Sequence, residues 1–195
     1  LFFICILCVM KKSKLIKLLM TFSPDEWSRF EDFVASPFFN NTKSVILLFK
    51  LIKANVPDFD ISKSEAFEAA FPNEIYKNSR LGFVMNQLLS LAERFLAIEE
   101  FQNNKLQVGN VSLRIYSNRN LGKHYNFLHT KIRKELEEVA LTPRVVLERH
   151  QLEEVEMHHF AKKQVRQFNP KIPEAYNALN DYYYTQLIKY ACSIL

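Results

Sequence analysis

The stretch Ser23-Pro24-Asp25-Glu26-Trp27-Ser28-Arg29-Phe30-Glu31-Asp32-Phe33 carries a helix start and its buried face in one line. Ser23 is suited to accept hydrogen bonds from the exposed N–H groups of a first turn. Pro24 fits the first helical position, where no N–H is needed, and Glu26 stands three residues after the cap, where it can reach back. Trp27, Phe30, Phe33 and Val34 then recur at helical spacing, so one side of the helix is apolar. This is architecture rather than chemistry, and nothing comparable for catalysis or ligand binding occurs elsewhere in the 195 residues.

Outward from that stretch the same period recurs. Leu15, Leu18, Leu19 and Phe22 predict a short amphipathic helix over 11–22, with lysines on its other face. Pro37 predicts that the Pro24 helix ends near Ser36, because a proline restricts the residue before it. Thr42 or Asn41 is placed to cap a helix over 43–54, striped by Val45, Leu48, Phe49 and Ile52. A second capping box, Ser62-Lys63-Ser64-Glu65, opens a helix that runs to Pro72. The two boxes lie 39 positions apart, within the range of helical repeats, but two loose copies do not establish a repeat.

The helix over 79–102 has the clearest pattern, with Leu81, Val84, Leu88, Leu91, Phe95 and Ile98 in period. Further helices are expected over 105–116 and 120–140, weakened by Gly109 and Gly122. Another starts at Thr142-Pro143, is carried by Val146, Leu147, Leu152, Val155, Phe160 and Val165, and ends at Asn169-Pro170. The last runs from Glu174 with Tyr176, Leu179, Tyr183, Leu187 and Tyr190 on one side. Only 3 glycines are present, well under the usual share of about 7%, and alternating β pattern is nearly absent. The fold class is therefore all-α, an array of about seven to eight antiparallel helices, helical-repeat-like or an irregular bundle.

Both ends read as cut. Leu1 to Val9 is an apolar run stopped by Met10-Lys11-Lys12, too short for a span of about 20 residues and with its positive charges after the apolar run, unlike a secretory signal. The preferred reading takes 1–9 as a leader or mis-translated segment before a start at Met10; the rival is a truncated membrane anchor, and a membrane role depends on it. Residues 10–195 are expected to form one all-helical domain, incomplete at the C-terminus. Cys5 and Cys8 form a C-x-x-C with no second pair, which supports neither zinc nor redox chemistry. Cys192 is expected to be a buried thiol, and the cysteine usage fits a reducing, cytoplasmic setting.

Two patterns imitate metal chemistry. Glu156-Met157-His158-His159 contains an E-x-x-H without the second copy that a di-metal bundle needs, and His150, Glu154 and His158 line up at four-residue steps without H-E-x-x-H. A solvated, charge-laced helix face is the preferred reading, with no metal and no cofactor. No Gly-rich phosphate loop, nucleophile elbow or Cys–His pair is present, so no enzyme activity is expected.

Charge is unevenly spread. From Phe101 to Lys134 there is no Asp or Glu, while Lys105, Arg114, Arg119, Lys123, Lys131, Arg133 and Lys134 give +7 against a whole-chain net of +5. Tyr116, His124, Tyr125 and His129 lie among them. Basic groups attract phosphate and interleaved rings can stack on bases, so this span is the candidate nucleic-acid or acidic-partner contact. Basic solvent faces are equally common on helices, and no named nucleic-acid module is recognisable. Tyr182-Tyr183-Tyr184 cannot all face one core, because successive helical residues point about 100° apart. At least one ring should be exposed here or covered by chain further on, and the second is preferred.

Phe22-Ser23-Pro24-Asp25-Glu26-Trp27 with Phe30, Phe33 and Ser36-Pro37-Phe38-Phe39-Asn40 resembles the opening of an uncharacterised bacterial family of longer, all-helical proteins. Phe71-Pro72 ahead of a Leu-rich helix ending in Phe95-Leu96-Ala97, and Leu179-Asn180-Asp181-Tyr182-Tyr183, fit as well. The resemblance covers Met10 to Leu195 and implies a chain that continues further; it brings no activity and no functional residue. The function expected is a non-enzymatic interaction or scaffold module that binds a protein partner along one surface, in the manner of tetratricopeptide-like arrays, whose own signature is absent. The alternative is nucleic-acid binding through 101–134.

Overall fold

The computed structural model describes residues 10–162 and 168–194. The leader 1–9 with its C-x-x-C, and Val165, lie outside them. Among the described residues there are nine α-helices, one 3-10 turn at Met10–Lys12 and no strand. The helices are α1 (Lys14–Leu19), α2 (Pro24–Ala35), α3 (Lys43–Ala54), α4 (Lys63–Ala70), α5 (Asn78–Asn103), α6 (Lys105–Asn118), α7 (Gly122–Glu138), α8 (Pro143–Ala161) and α9 (Lys171–Ile194). Within the stretch 10–195, read above as one all-helical domain, they group into two compact units that meet in sequence at Glu100 and Phe101.

In the unit ending at Glu100 both capping boxes form. The Ser23 Oγ accepts from the Glu26 N–H at 3.3 Å while the Ser23 N–H donates to the Glu26 carboxylate at 2.7 Å, and Ser62 and Glu65 repeat this at 3.2 and 2.8 Å. The helices after α2 and α4 differ, twelve residues against twenty-six, so the boxes repeat a start signal and not a structural unit. The aromatic face of α2 builds the core. Phe30 is fully buried, 5.2 Å edge-on from Phe49 of α3 and 5.3 Å from Phe95 of α5, and Trp27 stacks on Phe49 at 5.9 Å. Each such side chain contributes about 1.5–3 kcal/mol by leaving water. Asn40, which is buried, joins α2 to α3: its Nδ2 donates to the Val34 carbonyl and its Oδ1 accepts from the Thr42 N–H, both at 2.9 Å. Thr42 occupies the N-cap position but its hydroxyl makes no capping bond. The first helix is shorter than expected, because Ser13 caps a new start after the 3-10 turn.

One helix among the described residues, α5, is long and apolar enough to cross a membrane by length and composition. Its apolar positions Leu81, Val84, Leu88, Ala92 and Phe95 are buried in the core of this unit.

In the unit beginning at Phe101, α6 packs on α7 and α8, and α9 packs along α8. Its core is Leu113, Tyr125, Ile132, Leu136, Val145, Leu152 and Val155. Gly109 lets α6 approach α7, since a Cβ there would lie 2.5 Å from Ile132 Cδ1. Asn120 does not start α7; it takes φ 56°, a left-handed turn that asparagine tolerates, between the two helices. Helix α8 runs to Ala161 with Lys162 at its C-cap, and the remainder of its sequence pattern lies outside the described residues. Helix α9 begins before Pro173, which sits in the first turn, where its missing N–H leaves no bond unmade.

Candidate functional site

The seven basic residues do not act as one group. Lys105 and Arg114 lie on α6, Arg119 caps its C-terminus, and Lys123, Lys131, Arg133 and Lys134 lie on α7. Six of them are exposed, with Lys131 3.9 Å from Glu135. Arg133 is the exception: α7 turns Tyr125, Ile132 and Leu136 inward, and Arg133 at the edge of that face reaches into the unit. The rings named with the basic span mostly turn inward too, Tyr125 buried and Tyr116 and His129 half-buried. His124 is exposed, and so is Phe127, at 77%, four residues from both Lys123 and Lys131 and so on one helical face with them and with Lys134. That spacing was visible in the sequence, but nothing there said which rings point out.

Arg133 is the centre of an ion cluster that ties α7, α8 and α9. Its guanidinium forks onto Glu153 with Nη1 2.8 Å from Oε1 and Nη2 2.9 Å from Oε2, and its Nε donates to Glu156 Oε1 at 2.9 Å. His129 Nε2 also meets Glu156 Oε1, while Lys171 Nζ donates to Oε2 at 3.0 Å and to Glu174 at 2.7 Å. Glu153 and Glu156 are both buried, so the helix face read as solvated is corrected at Glu156, while Glu154 and His158 are exposed and His150 and His159 half-buried.

The two carboxylates respond oppositely to that burial. Burial pushes Glu156 up, but the bonds from His129, Lys171 and Arg133 outweigh it and bring its pKa down to about 2. At Glu153 burial outweighs the Arg133 bond and the pKa rises. Arg133 is driven down by burial and up by both glutamates, with a net rise. Tyr125, raised mainly by burial and then by the Glu156 charge, has a buried hydroxyl with no partner among the described residues. Its ring stacks at 3.8 Å on His159, whose Nδ1 lies 3.0 Å from Ser117 Oγ.

Glu153, Glu156 and Glu174 bring ligand atoms within 4.8 Å of one another, a spacing that could hold a cation. Arg133 and Lys171 already occupy those oxygens, so the cluster is charge-compensated from within the protein. The E-x-x-H pair divides its partners, Glu156 with the cations and His159 with Tyr125 and Ser117. His150 and Glu154 stand 4.0 Å apart, and His158 is exposed on a groove between α6 and α8 of about 720 Å³. Arg114, Gln151, Glu154 and Lys162 also line it. Their mixed charges do not converge on one point, and Lys162 is bonded to Asn118.

A third buried carboxylate of α8, Glu148, accepts from Asn104 Nδ2 at 3.0 Å and Asn110 Nδ2 at 3.1 Å and has no ion-pair partner among the described residues. Amides far away in sequence hold it, so sequence spacing carried no sign of it.

Helix α9 departs most from expectation. Only Ala175 and Ala178 are buried, against α8, and Tyr182 is half-buried with its ring 6.4 Å from His150. Tyr176, Leu179, Tyr183, Leu187 and Tyr190, the apolar side read from the spacing, are 47 to 63% exposed, Ile194 extends the stripe, and of the tyrosine triplet Tyr183 and Tyr184 are exposed. Cys192 is exposed rather than buried. No family model matches the chain, and no curated protein or solved structure is significantly similar to it.

Proposed function

We propose that the protein is a cytoplasmic, non-enzymatic interaction module that docks an uncharged helical face of a protein partner on α9. The observation that carries this reading is the exposed stripe Tyr176, Leu179, Tyr183, Leu187, Tyr190 and Ile194, a continuous apolar surface rather than scattered side chains. Tyrosine-rich apolar surface is what protein interfaces enrich, because the ring is large, stiff and tolerant of partial wetting. Arg133, Lys171, Glu153, Glu156 and Glu174 of the same unit are spent on one another, which supports an architectural role for that cluster. The test is a photoreactive phenylalanine analogue at Tyr183, and separately at Phe83, in cells that make the protein. Discrete protein adducts at Tyr183 and none at Phe83 are expected; no adduct at Tyr183, Leu187 or Tyr190 would refute the reading.

A second reading is favoured by one feature, the exposed Phe127 between Lys123 and Lys131. A ring flanked by cations suits a stacked base on single-stranded nucleic acid. In that case polyuridylate binding should weaken steeply with salt and fall on Phe127→Ala, while Arg133→Met would act through folding alone.

A further inference from the structure

What covers α9 can be argued from the stripe itself, on the assumption that the interaction reading above holds. Its members follow one another at three, four, four, three and four residues, averaging the 3.6 of a straight α-helix, so the stripe runs along the axis without winding away. Reversed about the level of Thr185, the pattern falls on itself. Tyr176 comes opposite Ile194, Tyr183 opposite Leu187, and Leu179 opposite Tyr190 to within one residue. Every tyrosine then meets an aliphatic side chain, and no two rings compete for the same space.

We infer that α9 is a homodimerisation helix, pairing antiparallel with α9 of a second copy about a two-fold axis at the level of Thr185. A two-fold interface requires a surface complementary to itself, and the reversed register supplies it. Antiparallel pairing also sets the helix dipoles head to tail. The exposed area of the six side chains is on the order of 800 Å² per copy, the share each partner contributes to a stable interface of ordinary size.

Electrostatics favours this occupant over lipid. The charged residues of α9 are Lys171, Glu174, Asp181 and Lys189, none in the stripe, and Lys171 and Glu174 bond each other. Pairing thus buries no charge. A helix lying on an anionic membrane carries a row of Lys or Arg beside its apolar face, which α9 lacks.

The experiment is sedimentation equilibrium of the full chain between about 1 and 100 µM, a range set by ordinary dimer affinities. A reversible dimer is expected, and Leu187→Glu should raise its dissociation constant at least about thirtyfold, the size of a hot-spot loss, with helicity by circular dichroism unchanged. Register is read in a background of Cys5→Ser, Cys8→Ser and Cys192→Ser. A mixture of Tyr183→Cys and Leu187→Cys chains should form the mixed disulfide in preference to either homodisulfide. A monomer throughout, a dimer indifferent to Leu187→Glu, preferred homodisulfides, or a monomer that pellets with 3:1 phosphatidylcholine–phosphatidylserine vesicles each overturns the inference. Cellular adducts at Tyr183 with a different protein would overturn the second copy while sparing the interaction reading; no adducts at all would remove that reading.

Discussion

Arg133 holds two buried carboxylates of α8 with one planar group, and replacing it strands Glu153, while Glu156 keeps His129 and Lys171. Arg133→Met should cost about 3 kcal/mol, measured by urea unfolding followed at 222 nm, because a buried carboxylate without its cation is far more costly than the pair was stabilising. The two glutamates are distinguished by pH. Glu156 has a folded-state pKa of about 2, below its ordinary 4.5, so it adds stability above about pH 4.5 that is lost as the pH falls toward 2. Glu153 is raised by burial, so its charge opposes folding at neutral pH and protonation relieves that. Glu156→Gln should therefore destabilise at pH 7 by on the order of 2 kcal/mol, after allowance for solvent screening, and flatten the acid limb of the stability profile. Glu153→Gln should stay within about 1 kcal/mol of wild type at pH 7. If the two variants behaved alike, the assignment of roles within the cluster would be wrong.

Among the elements, α2 and α7 show how local signals and tertiary contacts divide the work. The α2 cap is exposed and local, so Ser23→Ala should cost about 1 kcal/mol, read from the thermal unfolding of Trp27 emission, the single tryptophan, which lies in that unit's core. The two glycines near α7 should respond with opposite sign. Gly122→Ala meets nothing within 4 Å at the start of a helix and should stabilise by about 0.5–1 kcal/mol. Gly109→Ala drives a methyl into the buried Ile132; despite the gain in helix propensity it should lose about 1 kcal/mol net, recovered in part by Ile132→Val. In sequence both glycines read only as weak points of a helix, because what a missing Cβ allows depends on a neighbour more than twenty residues away.

For the molecule as a whole, charge and apolar exposure are segregated. The unit ending at Glu100 is neutral, and the unit from Phe101 carries the entire +5 together with the exposed face of α9. Because the stripe holds no charge, self-association should change little between about 50 and 500 mM salt, whereas polyanion binding on α7 would fall by orders of magnitude over that range. Sedimentation at the two salt concentrations, with and without polyuridylate, separates the two surfaces.

Local chemistry was enough to specify the all-α class, the two capping boxes, the aromatic face of α2 and the core positions of α3 and α5, since a period of 3.6 and a cap are properties of neighbouring residues. The same period could not say which apolar faces find a partner: it treated Phe30 and Tyr183 alike, and the packing of the units buried one and left the other exposed. Nor could spacing foresee that Arg133 would leave the basic surface for Glu153 and Glu156, or that two asparagines would enclose Glu148. Those choices follow from which helices the chain brings side by side, because a charge is buried only where a distant element supplies its counterpart.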